Sequence, residues 1–523
     1  MRDRRQFLTQ LAALALAPRA PLAYDVVVYG ATAGGVIAAI AAAAEGASVA
    51  LLEPGRHVGG MVSGGLGWTD MDRQQHVIGG YAREFFERAG RHYGEPIAWR
   101  FEPKVAEQVL RDWLAEAKVA VFFDHRLRSA HRHGHRVTSI AAENGSEFAA
   151  KVYIDSSYEG DLMKAAGVSY TVGRESQRKH GESLAGRREN LPGNHQFKAR
   201  VSPYDDEGRL APYVVRQEDL APLGEGDGKI QAYCFRLCLT DVKANQVPPE
   251  KPRDYDPKRF TLARNYIRSA GSALTFHDFV GIRSRLPNGK IDGNSSGAVS
   301  TNLLGASSPY PDAGYARRKA IWDEHLTWAQ GLIYFAQTDP EVPETIRAEA
   351  RRWGPAADEF TDTGHWPHQM YVREARRMSG EYVLTQRDLQ ESRQKHDSIG
   401  MGGYNIDIRE VQWVAYKVFR FPTVAEEVLM EGYVSQPIEP YEIPFRSLLP
   451  RQQEADNLLV TSCISASTIA YASFRMEPQY MIAGHAAGVA AALSLRSRRM
   501  LHGIDISALR RRLAEQRQIL SSS

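Results

Sequence analysis

The residues best suited to chemistry crowd one stretch, His365-Trp366-Pro367-His368-Gln369-Met370-Tyr371-Val372-Arg373-Glu374-Ala375-Arg376-Arg377. Two histidines flank a Trp-Pro pair that stiffens the chain. An imidazole titrates near neutral pH, so either His365 or His368 can act as a base toward a substrate. Arg373, Arg376 and Arg377 recur at helical spacing, which predicts one face presenting guanidinium groups to an anionic or polyhydroxylated molecule. Trp366 and Tyr371 offer flat faces for a sugar ring. In the competing structural reading, His365 is a satisfied structural histidine and the arginines pair with Glu374, Glu381 or Asp388.

A base and cations need something to accept electrons if they are to serve an oxidation. Tyr24 to Gly67, YDVVVYGATAGGVIAAIAAAAEGASVALLEPGRHVGGMVSGGLG, has the form of a nucleotide site. Val26 to Tyr29 read as a buried parallel strand. Gly30-Ala31-Thr32-Ala33-Gly34-Gly35 turn the chain into an alanine-rich helix, whose free N–H groups and dipole favour a pyrophosphate. Small side chains at Ala38, Ala39 and Ala41 to Ala44 allow that helix to lie close to the sheet. A second strand ends in Glu53, 23 residues after Gly30, where a carboxylate can accept a ribose hydroxyl. Thr32 replaces the usual second glycine, and the site works if its hydroxyl turns toward a phosphate oxygen. Beyond Arg56, the side-chain-poor run Gly59-Gly60-Met61 to Gly67 supplies extra backbone, which a flavin needs along its ribityl chain and ring and an NAD domain does not.

These motifs resemble the FAD-dependent oxidoreductases of the glutathione-reductase-like flavoprotein superfamily, in particular a bacterial group of which some members are labelled xanthan lyase. The resemblance extends to Val152–Val168, with a strand ending in Asp155, to Asp358–Thr385 and to Asn457–Ala491. It implies non-covalently bound FAD and a glutathione-reductase-like α/β Rossmann fold with an inserted α+β substrate domain. It also implies that Arg475, Met476 and Pro478 open a helix aimed at the pyrimidine end of the isoalloxazine, where its dipole favours negative charge on the reduced ring. A salt-bridged structural Arg475 is the alternative. The expected boundaries are 24–172 plus 442–495 for the FAD-binding domain, 173–441 for the substrate domain and 496–523 for a basic tail. Ala313–Tyr334 and Glu344–Trp353 are predicted helices.

The first 23 residues, MRDRRQFLTQLAALALAPRAPLA, resemble a twin-arginine export signal, with Arg4-Arg5 ahead of a short apolar core. Export of an already folded protein to the periplasm agrees with a tightly held flavin. The export machinery is then a partner, and no later segment is long enough to span a bilayer. The formal charge of +3 falls to zero without this segment, so nothing points to nucleic acid. Three cysteines, Cys234, Cys238 and Cys463, are too few for a four-cysteine cluster. Cys234 and Cys238 are expected as same-face core thiols of a strand. His131, His133 and His135 sit around Gly134 in a predicted hairpin turn with no carboxylate at a useful spacing, so no metal is assigned.

The resulting expectation is an FAD-dependent oxidoreductase that acts on a small polar, hydroxylated or carbohydrate-like molecule, with hydride transfer to flavin N5. No second dinucleotide motif is present, which leaves the electron acceptor open among oxygen, a quinone and another protein. A non-redox eliminase or isomerase, or an FAD-containing binding component of an extracytoplasmic complex, are the alternatives.

Overall fold

The computed structural model describes residues 20–190, 195–248, 250–391 and 393–522; most of the export-signal segment lies outside them. The apolar run of the first strand does what its composition dictates. β1 (Leu22–Tyr29) is buried from Val26 to Tyr29 and forms the middle of a seven-stranded sheet. After α1 (Ala33–Ala44), β2 (Val49–Leu52) pairs parallel to β1. A connection through α2 (Pro103–Glu116) leads to β3 (Ala120–Phe122), parallel to β2. β4 (Leu127–His133) and β5 (Arg136–Ala142) form an antiparallel hairpin, with His131, His133 and His135 exposed at its Gly134 turn. β6 (Glu147–Asp155) returns parallel to β1.

Three hundred residues further on, roughly, β11 (Leu458–Val460) completes the sheet alongside β6. The register puts Tyr29 opposite both Leu52 and Asp155, and Asp155 opposite Val460. The carboxyl ends of these strands are therefore level, the edge at which open parallel sheets bind ligands.

The intervening chain is α+β. β7 (Leu237–Thr240) and β8 (Lys290–Gly293) pair antiparallel, and Cys238 lies on β7 while Cys234 precedes it; both are buried free thiols. α3 (Tyr315–Thr338) carries Tyr315, Arg318, Lys319 and Trp322 on one face by its i, i+3, i+4, i+7 spacing. A shorter helix, Glu344–Ala350, packs on it. β9 (Gln412–Arg420) and β10 (Thr423–Glu431) make a long hairpin.

After β11, α4 (Glu477–Ser497) begins with Pro478 in its first turn, where a missing N–H costs nothing, and crosses α1. α5 (Ile506–Glu515) follows, burying Leu509 and Leu513. Among the described residues no helix is long and apolar enough to cross a membrane.

The sequence reading gave the small residues of α1 to a close approach to the sheet. A comparably close contact is made with α4. A Cβ on Gly484 would lie 2.0 Å from the Gly34 carbonyl oxygen, and one on Gly488 would lie 2.4 Å from that of Ala38. On the sheet side, a Cβ on Gly35 would meet the Gly30 carbonyl oxygen at 1.9 Å. We expect Gly484→Leu to destabilise the apoprotein by about 3 kcal/mol or more, because both walls of the overlap are backbone and neither can swing aside. Denaturant unfolding of the variant measures this, and a loss below about 0.5 kcal/mol would show the helices free to separate.

Candidate functional site

At the level strand ends lies a cleft of about 320 Å³. Gly30 forms its floor at φ +92°, so close to Ser157 that a Cβ would sit 2.7 Å from the Ser157 nitrogen. Glu53, Pro54 and Gly55 after β2 make one wall and Ser157, Tyr158 and Glu159 after β6 another. The far wall is the α3 face with Tyr315, Arg318, Lys319 and Trp322. Gly60, His57, His368 and Gln369 close the end toward the interior.

Several polar groups of this cleft are committed to the backbone. The Glu53 carboxylate accepts from Ala31 N–H at 2.8 Å and Gly55 N–H at 2.7 Å, yet burial raises its pKa to about 7. Each oxygen still has lone pairs for a ribose hydroxyl. Thr32 departs from expectation: its hydroxyl donates to the Ser156 carbonyl at 2.9 Å and accepts from Gly35 N–H at 3.1 Å as the N-cap of α1. Its only proton is used, so it cannot donate to a phosphate. Ala33 and Gly34 are buried in the first turn of α1, and Gly34 packs on Tyr480. Arg56 is at the rim, 76% exposed and paired with Asp124 at 3.1 Å.

Asp155 does not face the cleft. It is fully buried and accepts from Ser157 N–H, Ser157 Oγ and Met163 N–H at 2.9, 2.7 and 2.7 Å, so it holds the turn that presents Ser157 and Tyr158. Burial raises its pKa to about 6. Gly59 and Gly60 have φ of +102° and +56°; a Cβ on Gly60 would meet the Tyr158 hydroxyl at 2.3 Å. That hydroxyl accepts from Met61 N–H at 2.8 Å and donates to Glu477 at 2.6 Å, joining the glycine loop to the start of α4. Burial raises Glu477 to about 8, so it is uncharged at neutral pH, and its Oε2 has no partner. Met476 and Pro478 flank it, both buried.

His368 stacks on His57 with centroids 3.8 Å apart and planes within 9°. Burial lowers the His57 pKa, but Glu107 on α2 and then Asp362 outweigh it, leaving the pKa above its ordinary value. Burial and then His57 push His368 down to about 3, so His368 is a neutral ring and a weak base. Its Nε2 is 3.4 Å from Ser63 Oγ, and its Nδ1 is buried without a partner. His57, Glu107 and His368 bring ligand-type atoms together, but stacked rings hold their lone pairs parallel rather than converging on one ion. His365 lies outside the cleft, at φ +66° with Nδ1 3.1 Å from the Glu359 carbonyl.

Beyond Gln369, the glycine loop passes inward against the chain at Arg236. A Cβ on Gly64 would meet Gln369 at 2.3 Å and one on Gly65 the Arg236 carbonyl at 1.9 Å. Gly67 N–H donates to Asp292 at 3.1 Å, and Asp292 takes the Arg236 fork at 2.7 and 2.6 Å. Here Tyr371 lies between two guanidinium groups, Arg236 at 5.5 Å and Arg373 at 4.8 Å from its ring. Arg475 bonds Asp407 at 2.8 Å and Asp70 is 3.9 Å from Arg236. Asp70, Tyr404, Asp407 and Arg409 are partly exposed and interact electrostatically with one another and with Arg236, Arg475 and Tyr371, so they form one partly open polar cluster, the inner chamber.

The helical face expected for Arg373, Arg376 and Arg377 is absent, because 372–376 forms no helix and leads to a two-residue strand. The three arginines diverge. Arg376 pairs with Asp161 and Asp312, both at 2.9 Å, behind the cleft. Arg377 pairs with Glu175 at 2.8 Å and Glu374 at 3.4 Å. Arg373 instead lies buried against the chamber residues Tyr371, Arg409 and Arg475. Sequence reasoning missed His57, Tyr158, Glu477, Asp70, Arg236, Asp407, Arg409 and the α3 face. Of these only the α3 face had a signal, the helical spacing of Tyr315, Arg318, Lys319 and Trp322.

The family model described as FAD dependent oxidoreductase matches residues 25–513. Comparison with curated proteins finds no match. Among solved structures, a thioredoxin reductase from T. acidophilum is 20% identical over 25% of this chain and 34% of its own, with a TM-score of 0.18. A flavin monooxygenase from Stenotrophomonas maltophilia is 18% identical over 29% and 42%, at 0.19. THI4 from Thermovibrio ammonificans is 17% identical over 34% and 76%, at 0.22. The chain thus spans about a third of the first protein's length and two fifths of the second's, and nothing below rests on these likenesses.

The residues fit FAD. Gly30 and Gly60 line the cleft without side chains, and His368 Nδ1 and Glu477 Oε2 are buried without a partner among the described residues. Gly30, Glu53, Ser157 and Gly60 would hold the nucleotide half.

The raised Glu477 pKa has a definite sign in stability. Its folded value of about 8 exceeds its ordinary 4.5, so its contribution is complete below about pH 4.5 and is lost as pH rises through about 8. Glu477→Gln keeps an uncharged group there. We expect apoprotein unfolding free energies to fall less between about pH 5 and about pH 9 in E477Q than in the parent. Parallel pH profiles would show that Glu477 ionises freely in the fold.

Proposed function

The chain belongs to the family of FAD dependent oxidoreductases, and from that premise we propose that this enzyme acts on a small polar, hydroxylated or carbohydrate-like molecule, with hydride transfer to flavin N5. The observation that supports this reading is the continuity of the glycine loop from the nucleotide cleft at Gly60 to the chamber at Gly67. When bound, FAD supplies a two-electron acceptor. Oxidation of an alcohol to a carbonyl releases a hydride from carbon and a proton from oxygen, so the chain must take the proton.

Asp70 is suited to that role. Its carboxylate is 26% exposed to the chamber, and burial raises its pKa against the pull of Arg236, which makes it a better base than an ordinary carboxylate. Tyr404, partly exposed, offers a flat face for a ring. Arg475, held by Asp407, places a fixed positive charge near the start of α4. The sequence contains no second dinucleotide motif, so the electrons pass to an external acceptor. Export by the twin-arginine route, through Arg4-Arg5, places the enzyme in the periplasm.

Anaerobic addition of hydroxylated compounds to the flavin-loaded enzyme should bleach its visible absorbance for at least one class of substrate. Flavin that no compound reduces would set the redox proposal aside. Asp70→Asn should retain the flavin and lower the rate of bleaching about 10²- to 10⁴-fold; an unchanged rate removes Asp70 as base. Replacing Arg4 and Arg5 by lysine should leave the protein in the cytoplasmic fraction, and continued periplasmic recovery would refute the export route.

A further inference from the structure

Arg373 is an exception among the buried arginines. Arg174, Arg236, Arg318, Arg376, Arg377 and Arg475 each have a carboxylate oxygen within 3 Å. Arg373 is 3% exposed and has none. Among the described residues its side chain bonds only the Ala232 carbonyl and, at 3.5 Å, the Cys234 sulfur. The charged arginines that act on it most, Arg409 and Arg475, carry the same sign. Taking a cation out of water without a counter-charge costs several kcal/mol, and folded proteins avoid it unless something else supplies the charge.

The surrounding wall reinforces the imbalance. Arg475 Nε is buried without a partner. Gln231 accepts from Arg409 N–H at 3.2 Å through its oxygen, while its amide nitrogen is buried and unpartnered. Two buried donors, Arg475 Nε and the Gln231 amide nitrogen, thus stand unmatched among the described residues of the cluster that also holds Tyr371, Tyr404, Asp70 and Asp407.

We propose that Arg373 is the seat of a substrate carboxylate, so that the molecule acted on is a small hydroxy acid or sugar acid and not a neutral sugar. A guanidinium fork matches a carboxylate in two parallel bonds, and the buried setting strengthens both. The inference rests on the chamber being the substrate site, and it narrows the substrate class given above.

The test measures binding, separately from turnover. FAD-loaded enzyme is titrated with acetate, lactate, gluconate and glucuronate, and in parallel with glycerol and glucose, following perturbation of the flavin spectrum and the thermal midpoint. Saturable perturbation by the acids alone is the expected result. Arg373→Met should weaken acid binding about 30-fold or more, with Arg373→Lys recovering part of it and both keeping their flavin. Equal responses to acids and neutral polyols would overturn the proposal. So would an unchanged acid affinity in R373M, or loss of FAD from a folded R373M, which would give Arg373 to the cofactor. If R373M does not fold, the wild-type contrast and R373K decide. Acids that bind but never bleach the flavin would sink the redox reading and leave this one standing; bleaching by neutral sugars alone would do the reverse.

Discussion

The contact of α1 with α4 is the constraint on which the site depends. α1 begins at the nucleotide loop and α4 begins beside the glycine loop, so their crossing sets the distance between the two ends of the site. With Gly484 against the Gly34 carbonyl and Gly488 against that of Ala38, the axes approach as near as backbones allow. Side chains at either position would part the helices and carry Glu477 away from Tyr158, and with it the 2.8 Å bond that holds Met61 N–H. The glycines of the loop would then cradle nothing. The small residues of α1 therefore have two duties, a sheet contact at Gly35 and a helix contact at Gly34 and Ala38.

Around this frame, ion pairs lock the inserted chain to the nucleotide domain. Asp161, just after the β6 turn, takes the Arg318 fork from α3 at 2.7 and 2.9 Å and Arg376 from the central segment at 2.9 Å. Glu175 takes Arg377 at 2.8 Å and caps the helix at Thr468. Breaking such a buried pair from one side leaves an uncompensated charge, so these carboxylates fix the walls of the cleft even where they touch no ligand. That accounts for two of the three arginines of the central segment and isolates Arg373 as the one not consumed by architecture.

How much was legible follows from which interactions are local. Val26–Tyr29, the glycine turn, Glu53, Pro478 and the α3 helix announce themselves through runs, turn chemistry and spacing within a few residues. Whether Thr32 points at a phosphate or caps its own helix depends on Ser156, more than a hundred positions away. Asp155 reads as a cofactor ligand because it ends a strand, yet its acceptors are filled by the next turn of its own chain. The arginine spacing suggests a helix because i, i+3 and i+4 fit one, but both ends of the segment are held by sheet-type pairing, Tyr371 to Cys234 and Arg377 to Thr171. The histidine pair was half visible: His368 stood out, while its stacking partner His57 was hidden in a glycine-rich motif.

Charge is distributed unevenly along the path from cleft to chamber. On the nucleotide side, burial raises Glu53 to about 7 and Glu477 to about 8, so these two are partly or wholly protonated near neutral pH. Burial also raises Glu159, while against burial Arg318 and Arg376 hold Asp161 below its ordinary value. Protonated carboxyl groups do not repel an anion, and they can donate to it. At the chamber end the reverse holds: Arg236, Arg373, Arg409 and Arg475 remain cationic, and Asp292 and Asp407 neutralise two of them directly. Glu53 therefore repels an entering dinucleotide less than an ionised carboxylate would, and charge developing at the inner end meets four guanidinium groups set among the carboxylates of Asp70, Asp292 and Asp407. The same gradient bears on pH. As the acids of the cleft ionise toward alkaline pH, repulsion rises where phosphates would lie while the arginines are unchanged, so the nucleotide half of the site is the part of the enzyme that alkali weakens first.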